Sequence, residues 1–189
     1  MLKGSETEQN LLKAFAGESQ ARNRYSMYAS IARKEGYEQI ANIFLETASN
    51  EYEHAKLFYR HLKGNEVKIT ASYPAGVIGD TIVNLEAAAN GEGDEADVIY
   101  PEFAKIAAKE GFTEISELFT NIAKIEKQHQ NRYLKLLENV KNNKIFIKDE
   151  EQEWVCLECG YIHHGKEAPK VCPVCAHPQA FYQLNCKNY

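Results

Sequence analysis

A four-residue pattern that occurs twice constrains this chain more than any other feature. Residues 51–54 read EYEH and residues 126–129 read EKQH, and both stand in stretches with helical periodicity. Residues three apart on a helix project from nearly the same face, so each copy offers one carboxylate and one imidazole to the same metal ion. The two copies together predict a symmetric site for two metal ions.

A wider internal repeat surrounds this pattern. Residues 29–36 read ASIARKEG and residues 104–111 read AKIAAKEG, and the same spacing relates Phe44 to Phe119. The first part of the chain is therefore a helical hairpin that is encoded twice.

The repeat contains one irregularity. The Gly-Glu pairs at 17–18 and 91–92 are 74 residues apart, whereas Tyr25 and Tyr100 are 75 residues apart. The second copy therefore holds one extra residue before Tyr100. A helix commonly absorbs one extra residue as a π-bulge, and such bulges concentrate at functional sites. Pro101 cannot donate a helical hydrogen bond, so irregular backbone is expected there.

The apolar periodicity predicts four helices. The first two occupy about residues 6–62 with a stop at Gly36, the third about residues 80–109 and the fourth about residues 114–139. Residues 63–79 contain several Gly, show little periodicity and form a long connection. This pattern predicts a mainly α, ferritin-like four-helix bundle with a long crossover between helices two and three.

The chain changes character after the fourth helix. We assign residues 1–140 to the bundle, the charged residues 141–153 to a linker and residues 154–189 to a small second domain with all five cysteines. A domain of that size cannot fold on apolar burial alone and needs a bound metal or cross-links.

Seven side chains are candidates for the two-metal site. In di-iron carboxylate bundles two helices give one Glu each and the other two give Glu-x-x-His. Glu95 adds a fifth carboxylate, which has no counterpart in the first copy, where Ala21 stands. Burying five carboxylates without cations is costly, and oxygen-rich ligation with two imidazoles fits iron or manganese better than zinc. The predicted ligands are Glu18, Glu51, His54, Glu92, Glu95, Glu126 and His129.

Tyr25 and Tyr100 occupy equivalent positions in the repeat. Tyr25 follows Glu18 by about two helical turns on the same face. Either hydroxyl can therefore donate a hydrogen bond to a ligand carboxylate and support the cofactor site. Aromatic packing in the core explains a tyrosine there nearly as well, and both interpretations stay open.

The second domain contains two Cys-x-x-Cys turns, which predict a tetrahedral four-sulfur site. Its ligands are Cys156, Cys159, Cys172 and Cys175, with twelve residues between the two turns. Spacing alone fits structural zinc as well as one iron. The Cys-Gly-Tyr and Cys-Pro-x-Cys sequences, flanked by Trp154 and Phe181, resemble rubredoxin, which implies iron. Ala176 departs from rubredoxins, which usually have Gly there.

Composition argues against two classes of partner. A formal net charge of -5 without a basic stripe argues against nucleic acid. No segment is apolar for long enough to span a membrane. Met1 begins a polar stretch without a basic and apolar leader, so a cytoplasmic location is expected.

The two Glu-x-x-His motifs, the additional Glu95 and the four-cysteine tail together resemble the rubrerythrin family over nearly the whole chain. The resemblance implies three irons per chain, two in a non-haem di-iron centre and one in an Fe(Cys)4 site, with zinc or manganese as substitutes. It also implies a peroxidase that reduces hydrogen peroxide to water in oxidative-stress defence. In this family one iron exchanges a carboxylate for a histidine ligand with oxidation state, and Glu95 and His54 are the matching catalytic residues.

The resemblance further implies partners. An external donor such as rubredoxin or an NAD(P)H-dependent reductase would reduce the tail, and a homodimer would let the tail of one subunit serve the bundle of another. Other function classes also fit parts of the sequence: a ferroxidase or iron-handling protein, an oxygen reductase, and a non-catalytic bundle with a zinc ribbon. Iron storage does not need a one-electron relay, whereas the sequence does not separate peroxide from oxygen as the substrate.

Overall fold

A computed structural model of the chain describes residues 1–64 and 66–188. Asn65 of the predicted crossover and Tyr189 of the predicted second domain lie outside these residues. The helices are α1 (Glu6–Lys34), α2 (Glu38–His61), α3 (Thr81–Asp94), α4 (Tyr100–Lys109) and α5 (Thr113–Lys141). Because α3 and α4 form one continuous helical rod, the predicted four-helix bundle with a long crossover after the second helix is confirmed.

The helix ends follow from local sequence. The Ser5 side chain accepts a hydrogen bond from the Glu8 N–H at 3.0 Å at the start of α1, and Asp80 caps α3 in the same way. Gly36 and Gly111, both at φ +84°, follow the ends of α1 and α4, where a residue without a side chain adopts the left-handed conformation most easily. The two hairpins of the repeat therefore turn at equivalent glycines.

The predicted π-bulge is confirmed. The π-helical turn Glu95–Ile99 joins α3 to α4, at the place where the second copy holds its extra residue. The Tyr100 N–H donates to the carbonyl of Glu95, five residues back, and Pro101 follows directly. The turn therefore absorbs the insertion without interrupting the helical rod.

The bundle core consists of two apolar clusters with a polar layer between them. One cluster surrounds Phe44 and Tyr133, and the other surrounds Phe58 and Phe119. Each of the four helical rods contributes to both clusters, so each rod crosses the polar layer once. In the described part of the chain, no helix combines the length and the hydropathy that crossing a membrane requires.

The second domain is a three-stranded antiparallel sheet with the order β2-β1-β3. Its strands are β1 (Ile147–Cys156), β2 (Ile162–Glu167) and β3 (Tyr182–Leu184), and a 3-10 turn spans Gln179–Phe181. The first strand begins inside the segment that charge composition assigns to a linker, because backbone pairing with β2 orders this polar stretch. Trp154 and Tyr182 are fully buried in the domain's own core.

The second domain packs against the bundle at the turn between α1 and α2. The ring of Phe146 stacks on Tyr37 with centroids 6.3 Å apart, and Ala180 of the 3-10 turn approaches Gly36. These contacts place the tail at the end of the bundle where α2 begins.

Candidate metal centres

Six of the predicted ligand side chains meet in the polar layer between the two apolar clusters. Each is at most 5% exposed, although all six are ionisable. Helix α1 contributes Glu18, α2 contributes Glu51 and His54, α3 contributes Glu92, and α5 contributes Glu126 and His129. Glutamate and histidine are rarely buried to this degree without a partner that balances their charge.

The six side chains form two overlapping groups of possible ligands. Within each group, one nitrogen or oxygen atom from every residue lies within 4.8 Å of the others. Glu51 and Glu126 belong to both groups, Glu18 and His54 complete the first, and Glu92 and His129 complete the second. The arrangement therefore offers two adjacent metal positions that share two carboxylates.

The contacts inside these groups fit bound cations. The Nδ1 atom of His54 lies 2.9 Å from a carboxylate oxygen of Glu51 and 2.9 Å from one of Glu126, and His129 Nδ1 lies 2.8 Å from the other oxygen of Glu126. These nitrogen and oxygen atoms are nevertheless buried without a properly oriented hydrogen bond among the described residues. Convergent carboxylate and imidazole donors of this kind suit metal binding.

The electrostatics of the layer also favour cations. Burial raises the pKa of Glu18 well above its ordinary value and raises that of Glu92 to about 8. Burial opposes the charge on His54, but the nearby carboxylates of Glu126 and Glu51 raise its pKa to about 9. Without metal, Glu18 and Glu92 therefore tend to take up protons, and two divalent ions can balance the charge of the layer.

Tyr25 and Tyr100 bind ligand carboxylates across the repeat. The Tyr25 hydroxyl donates to Glu92 at 2.5 Å, and the Tyr100 hydroxyl donates to Glu18. Burial raises the pKa of both hydroxyls well above the ordinary tyrosine value, so both remain protonated donors. The tyrosine of the first hairpin therefore orients Glu92 of the second, and the tyrosine of the second orients Glu18 of the first.

Glu95 belongs to neither group of ligands in this structure. It begins the π-helical turn and lines an open cavity of about 540 Å³ between α1, the crossover and α4, which Arg24 also lines. A β-carbon at Gly17 would lie 3.7 Å from a carboxylate oxygen of Glu95. In this structure His54 belongs to a group of possible ligands, whereas Glu95 lies outside both groups and lines the adjoining cavity.

A second cavity of about 400 Å³ lies between α2 and α5, next to the polar layer. His54, His129 and Arg132 line it. The Arg132 guanidinium donates at 2.6 Å to Glu46 and to the Thr47 hydroxyl on α2. Sequence reasoning missed Arg132, although its position three residues after His129 on one helical face was a usable signal.

The four cysteines form a separate group in the second domain. The sulfur atoms of Cys156 and Cys175 are 3.7 Å apart, and those of Cys159 and Cys172 are 3.6 Å apart. A tetrahedron with metal–sulfur bonds of about 2.3 Å has edges of about 3.8 Å, so the sulfurs fit one tetrahedral ion. The site combines this geometry with two cysteine turns of the rubredoxin type.

Comparisons with known proteins agree with both sites. Residues 9–137 match the Rubrerythrin family, and residues 154–183 match the family described as "Rubrerythrin, rubredoxin-like domain". Rubrerythrin of Porphyromonas gingivalis is 55% identical over 188 residues, covering 100% of this chain and 94% of that protein. Rubrerythrin of Nitratidesulfovibrio vulgaris is 49% identical over 183 residues, covering 97% and 96%. A solved structure of fully reduced, all-ferrous nigerythrin has a TM-score of 0.64 at 33% identity, covering 98% of this chain and 92% of that one.

Proposed function

Because the chain belongs to the rubrerythrin family, we propose that it is a non-haem di-iron peroxidase that reduces hydrogen peroxide to water in oxidative-stress defence. Its cofactors are a di-iron carboxylate centre in the bundle and one iron bound by four cysteines. The observation on which the proposal rests is that one chain combines a two-metal layer with a separate four-sulfur site. The two-metal layer suits a two-electron reaction, and the four-sulfur site suits the transfer of single electrons.

Reduction of one hydrogen peroxide to two waters consumes two electrons and two protons. Bound iron supplies redox chemistry of this kind. Glu51 and Glu126, which belong to both groups of possible ligands, would hold the two irons next to each other. Tyr25 and Tyr100 keep Glu92 and Glu18 oriented, and their hydroxyls hold protons at the edge of the site.

Glu95 and His54 are the proposed exchangeable ligands. In this structure His54 belongs to a ligand group and Glu95 lies outside both groups. An oxidised centre carries more positive charge than a reduced one, so a fifth carboxylate stabilises the oxidised state and a neutral imidazole suits the reduced state.

The placement of the tail supports pairing of two chains. Ala180 of the tail approaches Gly36 near the start of α2, and Glu51 lies about 20 Å further along that helix, at about 1.5 Å per residue. We propose a homodimer in which the tail of one subunit lies near the bundle of the other and receives electrons from a rubredoxin or an NAD(P)H-dependent reductase. Sedimentation equilibrium measures the mass in solution, and a monomer would contradict this pairing.

An anaerobic mixing experiment tests the peroxidase. The iron-loaded protein is reduced and mixed with one equivalent of hydrogen peroxide, and the visible absorption of the four-sulfur iron is followed beside an air-only control. We expect fast re-oxidation by peroxide and slow re-oxidation by air. Equal rates would favour an oxygen reductase instead, and a colourless tail that binds zinc would return the chain to the iron-handling class.

A variant separates the two sites. Glu126→Ala removes a carboxylate shared by both metal positions and leaves the four cysteines intact. We expect the tail of this variant to accept electrons normally and to lose fast re-oxidation by peroxide. Unchanged re-oxidation would mean that peroxide reacts at the tail rather than in the bundle.

A further inference from the structure

The cavity beside Glu95 is much larger than hydrogen peroxide requires. Its volume is about 540 Å³, whereas a water molecule occupies about 30 Å³ of the liquid and hydrogen peroxide is only somewhat larger. Volumes of about 300–1,000 Å³ are typical of sites for organic ligands. The cavity therefore has room for a substrate that carries an organic group.

The inner end of this cavity lies beside predicted metal ligands. Gly17 and Gly91, which line it, directly precede Glu18 and Glu92 in the chain, and Glu95 itself forms part of the wall. A β-carbon built at Gly91 meets no atom within 4 Å. Gly91 thus leaves open space next to the two-metal layer.

The walls of the cavity are partly apolar. Ile99, Phe103 and Ile106 line it from the π-helical turn and α4, and all three are half-buried. The crossover covers another side, where the Tyr73 hydroxyl donates to the backbone carbonyl of Lys13 at 2.9 Å. This hydrogen bond holds the crossover against α1 and gives the cavity a defined shape.

Two hydrogen-bond donors in the cavity wall lack partners. The Asn10 side chain is 1% exposed, and its Nδ2 atom has no hydrogen-bond partner among the described residues. The Nη1 atom of Arg24 is likewise buried without one. A buried donor without an acceptor costs about 1–3 kcal/mol. An occupant with an oxygen acceptor beside either nitrogen would remove that cost at that position.

We propose that this cavity binds organic hydroperoxides and that the chain reduces them to alcohols. The inference rests on the proposed peroxidase function and extends it to a second substrate class. The organic group packs against Ile99, Phe103 and Ile106, and the peroxide oxygens face the inner end at Glu95. One hydroperoxide takes up two electrons and two protons: the O–O bond breaks, the oxygen on carbon leaves as the alcohol and the outer oxygen leaves as water. The electrons come from the same external donor as in hydrogen peroxide reduction.

Paired peroxides test the inference. Reduced, iron-loaded protein is mixed anaerobically with hydrogen peroxide or with cumene hydroperoxide, and both rates are expressed per bound iron. Gly91→Leu places a side chain in the open space of the cavity, and Ala87→Leu, one turn earlier on α3 at an exposed position outside the cavity, is the matched control. We expect Gly91→Leu to lower the ratio of the cumene hydroperoxide rate to the hydrogen peroxide rate by about tenfold or more, and Ala87→Leu to preserve it.

A binding measurement tests the cavity without turnover. Equilibrium dialysis of 2-phenyl-2-propanol, the alcohol product, against the oxidised iron-loaded protein should show binding to the wild type and to Ala87→Leu and none to Gly91→Leu.

The possible failures are distinguishable. Reduction of hydrogen peroxide without reduction of cumene hydroperoxide would overturn the inference and leave the proposed function standing. Equal loss of both rates in Gly91→Leu, or no change in either, would show that organic hydroperoxides do not use this cavity. Absence of both reactions in the wild type would overturn the proposed function and the inference together.

Discussion

Two glutamates belong to both groups of possible metal ligands. Glu51 and Glu126 occupy the same place in the two copies of the repeat, and each is followed three residues later by its histidine. Glu18 and Glu92 each belong to one group. The residue that breaks this symmetry is Glu95, since its counterpart in the first copy is Ala21.

Replacing Glu95 by alanine should impair turnover more than assembly. Six ligand side chains meet without Glu95, so we expect the iron content to stay near that of the wild type. Peroxide turnover should fall by about tenfold or more, because the oxidised centre loses its additional carboxylate. Metal analysis and stopped-flow absorption measure the two effects. Glu102→Ala, which removes an exposed carboxylate from the same cavity, is the control, and normal peroxide kinetics in Glu95→Ala would count against the ligand exchange.

Ala176 offers a test of backbone strain in the tail. It follows Cys175 at φ +61°, as Gly160 follows Cys159 at φ +76°. A left-handed conformation costs a residue with a β-carbon about 1–2 kcal/mol. We therefore expect Ala176→Gly to raise the free energy of unfolding of the metal-loaded tail by about 1 kcal/mol, and Gly160→Ala to lower it by a similar amount. Thermal unfolding followed by the four-sulfur absorption measures both changes, and a less stable Ala176→Gly would refute the strain.

At the scale of elements, the π-helical turn lets residues on both sides of it in one helical rod point toward the same polar layer. One additional residue rotates everything after it by about 100° relative to an uninterrupted α-helix of 3.6 residues per turn. Glu92 before the turn and Tyr100 after it consequently both face the polar layer. The turn also begins with Glu95, so the irregular backbone and the asymmetric carboxylate occur together.

Deletion of Val98 should convert this rod into a plain α-helix. Val98 is exposed, so its own packing contributes little. The deletion would rotate one part of the rod relative to the other. Either Tyr100 would turn away from Glu18, or Glu92 would turn away from the polar layer. We expect the bundle to lose its two irons and the tail to keep its one, as measured by metal analysis and by the tail's absorption. Deletion of the exposed Val77 in the crossover is the control, and full iron content after loss of Val98 would contradict this account.

At the scale of the whole molecule, the buried charged layer lowers the stability that a fully apolar core would give the bundle. Two apolar clusters enclose a layer of buried carboxylates and imidazoles, and cations balance the charge of that layer. Ligands that bind only the folded state stabilise it, so iron should stabilise the bundle as well as serve its chemistry. The apolar clusters on both sides hold the ligands in place before metal binds.

Glu18→Gln should change stability in opposite directions with and without metal. In the iron-loaded protein we expect a loss of about 3–5 kcal/mol, because a ligand charge disappears. In the metal-free protein we expect a gain, because burial opposes a charged Glu18 and a neutral amide can still accept the Tyr100 hydrogen bond. Thermal unfolding followed by helical circular dichroism compares the two forms, with the exposed Glu86→Gln as control. A change in stability of the same sign in the iron-loaded and metal-free proteins would show that Glu18 acts through packing alone.

Much of the fold and of the candidate site could be predicted because its signals are local in sequence. Glu and His three residues apart define one helical face, the repeat places these faces in pairs, and Gly36 and Gly111 end helices through their own conformational freedom. The extra residue before Tyr100 predicted the π-helical turn in the same way. Charge composition did not indicate that strand β1 begins at Ile147, because strand formation there depends on pairing with the backbone of β2.

The sequence by itself determined the bundle, the types of metal ligand and the four-cysteine tail, since each depends on residue type at short, regular spacing. Only the tertiary structure decided the features that depend on how helices rotate and pack against one another. These features are the crossed hydrogen bonds of Tyr25 and Tyr100, the position of Glu95 outside both groups of possible ligands, and the cavity whose wall contains the unpartnered atoms Asn10 Nδ2 and Arg24 Nη1. Their partners lie far apart in the chain, so no local pattern records which atoms meet.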